Sequence, residues 1–102
     1  MVKRMGQIVK INKNINGLSY NWVLKEVYSQ LNKTGIQMYT YFITLPSDTQ
    51  EIEITQKALD KVNISRKQYQ RGMENLREEH YIVDDATHDK YIFYYKPITK
   101  MF

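Results

Sequence analysis

The spacing of hydrophobic and polar positions along this chain changes period several times, and each change marks an element. Gln7 to Ile11 alternates and is rich in β-branched residues, which predicts a short strand, followed by the turn-prone stretch Asn12 to Gly17. Trp22, Val23, Val27 and Leu31 then recur at near-helical spacing and predict a helix from about Asn21. Asn32-Lys33-Thr34 interrupts it, with Thr34 the expected N-cap of the next element. From Gly35 to Leu45, the residues Ile36, Tyr39, Phe42 and Ile43 share a helical face with Met38 and Leu45 on its flanks. This is the expected central helix of the core, and its β-branched and aromatic content leaves a strand over Met38 to Thr44 as the alternative. Pro46-Ser47-Asp48 ends it.

The second half is more sharply punctuated. Glu51-Ile52-Glu53-Ile54 alternates strictly, as a short strand able to join a later hairpin would. Thr55 caps a helix running to about Lys61, with Ala58, Leu59 and Val62 turned inward, and Val62-Asn63-Ile64 makes a turn. Ser65 caps the next helix, Arg66 to about Glu79, with Gln68 three residues on to complete a capping box. Tyr69, Gly72, Met73, Leu76 and His80 share one face of that helix. A glycine in mid-helix costs about 1 kcal/mol relative to alanine, so Gly72 on the buried side predicts close approach of a neighbouring helix. Tyr81-Ile82-Val83 and Tyr91 to Tyr95 read as two strands around a loop from Asp84 to Lys90, and Ile98 to Phe102 forms a tail. The expected core is Ile36, Tyr39, Phe42, Ile43, Leu59, Ile64, Tyr69, Met73, Leu76, Ile82 and Phe93.

Composition narrows the function classes. With 102 residues and 42% apolar content the chain is a single globular domain with a modest core. It has no cysteine, which excludes a disulfide framework, a thiolate metal site and a cysteine nucleophile. No run is long and apolar enough for a membrane span, and Met1 to Met5 lacks the apolar stretch of a secretory signal, so a cytoplasmic protein is expected. Glycine-rich phosphate loops, a Gly-x-Ser-x-Gly elbow and a His-Glu-x-x-His pattern are absent, and adjacent carboxylates such as Glu78 and Glu79 point apart. The expectation is a protein that is not an enzyme and needs no cofactor or metal.

Charge adds the most. The net charge is +4, but residues 1–33 hold six basic side chains against one acidic, and residues 34–54 only three acidic ones. The helix from Arg66 carries Arg66, Lys67 and Arg71 in its first two turns and Glu74, Glu78 and Glu79 in its last two. That order opposes the helix dipole, at a few tenths of a kcal/mol per charge and up to about 1 when unscreened. It is tolerable where the helix tip meets a strongly negative partner, for which a DNA backbone is the obvious candidate. Lys67 and Arg71 share a face opposite Tyr69 and Met73, with Gln70 beside them. Arginine can fork onto guanine, glutamine onto adenine, and lysine onto guanine or phosphate. Lys3, Arg4, Lys10 and Lys13 could form a basic arm along the backbone or minor groove.

Residues 55 to 83 resemble winged helix-turn-helix modules, which are common in phage, plasmid and replication-initiator proteins of Gram-positive bacteria. The resemblance is carried by Ala58, Ile64, Ser65, Tyr69, Leu76, Tyr81 and Ile82, with the helix from Gly35 to Leu45 similar to the first core helix of the family. It implies an α+β fold of three or four helices with a small antiparallel sheet, the hairpin wing. The module would occupy residues 34–97, after an N-terminal basic segment (1–33) used for dimerisation or as a DNA arm, and before a tail (98–102). It also implies sequence-specific binding of double-stranded DNA by a transcriptional regulator or replication accessory, in the cytoplasm of a bacterial host and associated with its nucleoid. The helix 66–79 would enter the major groove through Ser65, Arg66, Lys67, Gln70 and Arg71, with Lys3 and Arg4 assisting. A homodimer is expected, because affinity usually requires two half-sites. The chain departs from the family in its wing, where Asp84, Asp85 and Asp89 surround the tip and phosphate would be repelled. The alternative function is therefore a protein-binding adaptor or inhibitor that uses the same scaffold without DNA, its partner meeting that acidic wing.

Overall fold

The computed structural model describes residues 7–13, 20–85 and 90–97. Lys3, Arg4, most of the turn-prone stretch to Gly17, His88, Asp89 and residues 98–102 lie outside the described residues. The chain is an α+β protein with a four-stranded mixed sheet and, among the described residues, four helices. In chain order these are β1 (Gln7–Asn12), α1 (residues 20–30), α2 (Lys33–Ile43), β2 (Glu51–Ile54), α3 (Gln56–Lys61), α4 (Arg66–Glu78), β3 (Ile82–Asp85) and β4 (Lys90–Tyr94). The middle of α1, Val23–Val27, is wound as a π-helix, in which the Tyr28 N–H reaches back to the Val23 carbonyl.

The sheet differs from the expected antiparallel hairpin. Its order is β2-β1-β4-β3, with β1 antiparallel to β2 and parallel to β4. β2 therefore joins β1 and not the hairpin. The N-terminal strand, read from sequence as lying outside the core, is in the middle of the sheet because its alternation drives Val9 and Ile11 inward, to 0% and 8% exposure. Val27 and Leu31 of the N-terminal segment are buried as well. The hairpin strands also reach further than expected: Asp84 and Asp85 lie within β3, opposite Tyr91 and Lys90, and not in the loop.

Buried side chains from all of these layers form one core. Nine of the expected core residues are buried, whereas Ile36 and Ile43 pack against the core while half-buried. Met38, Ile54 and Tyr81 are further members that the spacing did not single out. Tyr39 is at the centre, edge-on to Tyr81 and Phe93 at 5.3 and 5.6 Å, and its hydroxyl donates to the Tyr95 carbonyl at 2.8 Å.

What fixes α4 in place is its crossing with α2. Gly35 and Gly72 both lie in the contact, where a Cβ on Gly72 would be 2.5 Å from the Thr34 carbonyl oxygen and 2.5 Å from Met38 Cγ. Asn75, the one buried polar residue of α4, accepts from the backbone N–H of Asn32 at 2.8 Å. Asn32, not Thr34, is the N-cap of α2: its side chain accepts from Gly35 N–H at 2.9 Å, and the Thr34 hydroxyl donates to the same oxygen. Asn75 thus satisfies a backbone donor at the start of α2 while the glycines bring the two helices together.

The turn between α3 and α4 follows from similar local chemistry. Thr55 caps α3, and Ser65 and Gln68 form a capping box at α4. Asn63 adopts φ 57°, with Ile64 N–H donating to the Leu59 carbonyl at 3.0 Å, a Schellman closure that turns the chain sharply. α4 closes the same way through His80, φ 70°, with Tyr81 N–H on the Leu76 carbonyl at 2.8 Å. His80 is consequently exposed and off the core face where helical extrapolation placed it. Val62, also expected inside, is 43% exposed because it is the C-cap, past the last inward turn of α3.

Candidate nucleic-acid interface

α4 buries Tyr69, Gly72, Met73, Asn75 and Leu76 against α2 and the sheet, which leaves Arg66, Lys67, Gln70 and Arg71 exposed on its first two turns. Ser65 is exposed at the tip, its hydroxyl oxygen accepting from Gln68 N–H at 3.1 Å. The capping box holds the tip rigid although no acidic residue occupies the first turn.

Arg66, Gln70 and Arg71 divide between two flanks, with Lys67 on neither. Arg66, Gln70, Glu74 and Arg77 line a groove of about 510 Å³ between α4 and the sheet, together with Gln7 of β1, Gln56 of α3 and Tyr91 of β4. Arg71 and Glu74 line the opposite flank with Asn32, Lys33 and Thr34 at the start of α2. Lys57 and Lys61, which share a face of α3, are exposed beside the turn. Sequence reasoning passed over these two lysines and Lys33. Their signal was available as a lysine pair spaced i, i+4 immediately before the turn.

The groove has an ordered floor. The Tyr69 hydroxyl donates to Gln7 Oε1, and Gln7 Nε2 donates to the Tyr91 hydroxyl at 3.5 Å. Burial pushes the Tyr69 hydroxyl well above the usual phenol range, so it remains a neutral donor. At the far end Arg77 bonds Asp84 at 2.9 Å, with its guanidinium 5.7 Å from the centroid of Tyr91. Asp84 is thereby paired, and the picture of a free acidic wing tip is corrected for this residue. Asp85 is opposite Lys90 in the ladder, and Lys90 reaches across β1 to Glu51 at 2.7 Å. That contact, first through its hydrogen bond, holds the Glu51 carboxyl below its ordinary range.

Among the described residues no helix is long and apolar enough to cross a membrane, and no group of three His, Cys, Asp or Glu side chains could hold a metal ion. No family model, curated protein or solved structure matches the chain.

Proposed function

We propose that the protein binds double-stranded DNA in a sequence-specific manner, as a winged helix-turn-helix module of a small phage- or plasmid-type regulator or replication accessory. The observation that carries this reading is the tip of α4, where Arg66, Lys67, Gln70 and Arg71 are all exposed and the first turn holds basic and no acidic residues, against the helix dipole, while Arg77 in the last turn follows it. The element order from α2 to β4 (helix, strand, helix, tight turn, helix, hairpin) supports the module, and β1 is an addition inserted between β2 and the hairpin. On this reading Gln70 and Arg66 meet base edges from one flank and Arg71 from the other, while Lys57 and Lys61 meet phosphates. Glu74 and Glu78 leave the base-reading side chains in the first half of α4, so the helix enters the groove tip first. One such tip covers a short site, and we pair two copies on half-sites about 34–36 Å apart.

The test is selection of duplexes from a random pool, followed by a salt titration on the recovered site with the parent and with Lys67→Ala/Arg71→Ala. A recovered motif, with the variant weaker and its log–log salt slope flatter by about 0.9 for each phosphate contact removed, is the expected result. Recovery of no motif, with no salt-dependent binding, would favour the adaptor reading.

A further inference from the structure

We infer that Arg77 is a further cationic contact of the same DNA interface and that Asp84 occupies its guanidinium until a phosphate displaces the carboxylate. This inference rests on the DNA-binding reading and adds to it a residue three turns from the helix tip. Arg66, Gln70 and Arg77 line one wall of the groove along a single flank of α4, with Arg77 about 16 Å along the axis from Arg66. A backbone following that groove from the tip would pass Glu74 and then reach Arg77, the next cationic side chain on that wall. Asp84 faces the same space, because it shares the sheet face of the buried Ile82 and stands opposite Tyr91 in the ladder. Arg77 and Asp84 side chains are 50% and 56% exposed, so water screens their attraction and the pair is inexpensive to open. The two non-bridging oxygens of a tetrahedral phosphodiester can accept from the planar guanidinium fork as the two carboxylate oxygens can, and the Tyr91 ring stays beside the guanidinium while the partner changes. The acidic strand then acts as a placeholder for the ligand, and the repulsion expected from Asp84 is offset whenever Arg77 is in place.

The experiment is a double-mutant cycle of Arg77→Gln and Asp84→Asn, measuring affinity for a mixed-sequence duplex of about 20 base pairs across a salt series, since phosphate contacts do not depend on sequence. Arg77→Gln is expected to weaken binding about eightfold at 0.1 M salt, taking 1 M as reference, and to flatten the slope by about 0.9. Asp84→Asn is expected to tighten binding by up to about fivefold with Arg77 present, and not at all in the Arg77→Gln background. Thermal melts of all four proteins confirm that these half-exposed substitutions leave the fold intact. If Arg77→Gln leaves affinity and slope unchanged, or if Asp84→Asn gives the same gain in both backgrounds, the inference is overturned and Asp84 acts by simple repulsion or not at all. A parent protein that binds no duplex at any salt sinks the DNA reading itself, which is a different outcome from an additive cycle.

Discussion

Gly72→Ala is the substitution that most directly tests how α4 is positioned. In an open helix it would stabilise the fold by about 1 kcal/mol, through helix propensity alone. Here the new Cβ would lie 2.5 Å from Met38 Cγ, 2.5 Å from the Thr34 carbonyl oxygen and 3.1 Å from its carbon, where ordinary contact begins near 3.4 Å. Met38 can rotate its chain end, but the Thr34 carbonyl belongs to the first turn of α2 and moves only with that helix. The two helices must separate by about 1 Å, a form of overpacking that typically costs 1–3 kcal/mol. Separation also stretches the Asn75 to Asn32 hydrogen bond one turn further on, worth about 1 kcal/mol. Against the propensity gain, the net expectation is a loss of about 1–3 kcal/mol. Equilibrium urea denaturation followed through the single tryptophan, Trp22, measures it. A variant more stable than the parent by about 1 kcal/mol would refute the close crossing, because only an unobstructed glycine gains in that way.

Two further outcomes are expected. Burial raises the folded-state values of Tyr39, Tyr69 and Tyr81 above the ordinary phenol range, so their contribution is complete below about pH 10 and is lost as pH rises beyond it. Stability should fall by about 1.4 kcal/mol per tyrosine by about pH 11, and urea midpoints that do not change between about pH 8 and 11 would contradict this burial. Lys67→Glu places an acidic residue in the first turn of α4, where the dipole favours it, and should raise stability by a few tenths of a kcal/mol while abolishing DNA binding. A less stable variant, or one that still binds, would show that the charge order of α4 does not serve the ligand.

Much of the fold was legible where its cause is local. Glu51–Ile54, the Thr55 cap, the Val62 to Ile64 turn and the Ser65 capping box involve residues three or four apart, and each stands where its chemistry placed it. What the sequence concealed is non-local. β1 pairs in parallel with β4 across some eighty residues of chain (Val9 with Tyr91, Ile11 with Phe93), and no spacing within either strand specifies that partner. Alternation gave a strand at Gln7 to Ile11 but not its neighbours, so Val9 and Ile11 were left out of the expected core. Errors at helix ends have another origin. Wheel extrapolation carried the core stripe from Leu76 on to His80, but α4 stops at Glu78 and His80 turns left-handed to close it. In the Asn32-Lys33-Thr34 run two residues could cap, and the choice fell to Asn32, whose backbone N–H reaches the buried Asn75 of another helix.

The candidate site divides along the same line. Which side chains of α4 face outward follows from periodicity, and Arg66, Lys67, Gln70 and Arg71 are all exposed. How they are shared between two flanks depends on what packs beside α4, with the sheet on one side and the start of α2 on the other, and one helix cannot reveal that. The acidic residues of the hairpin show the difference most clearly. Read as a linear string they oppose a phosphate backbone, but in the fold β3 carries Asp84 on the same face as the core and sets it against Arg77. A carboxylate that seemed to argue against DNA instead holds an arginine at the end of the groove that begins at the helix tip. The inverted charge order of α4 and the Arg77–Asp84 pair then have a single physical reading. The helix is stabilised by its cap, its closure and its buried face, and on the proposed DNA-binding reading its exposed charges are arranged for an anionic partner and not for the helix itself.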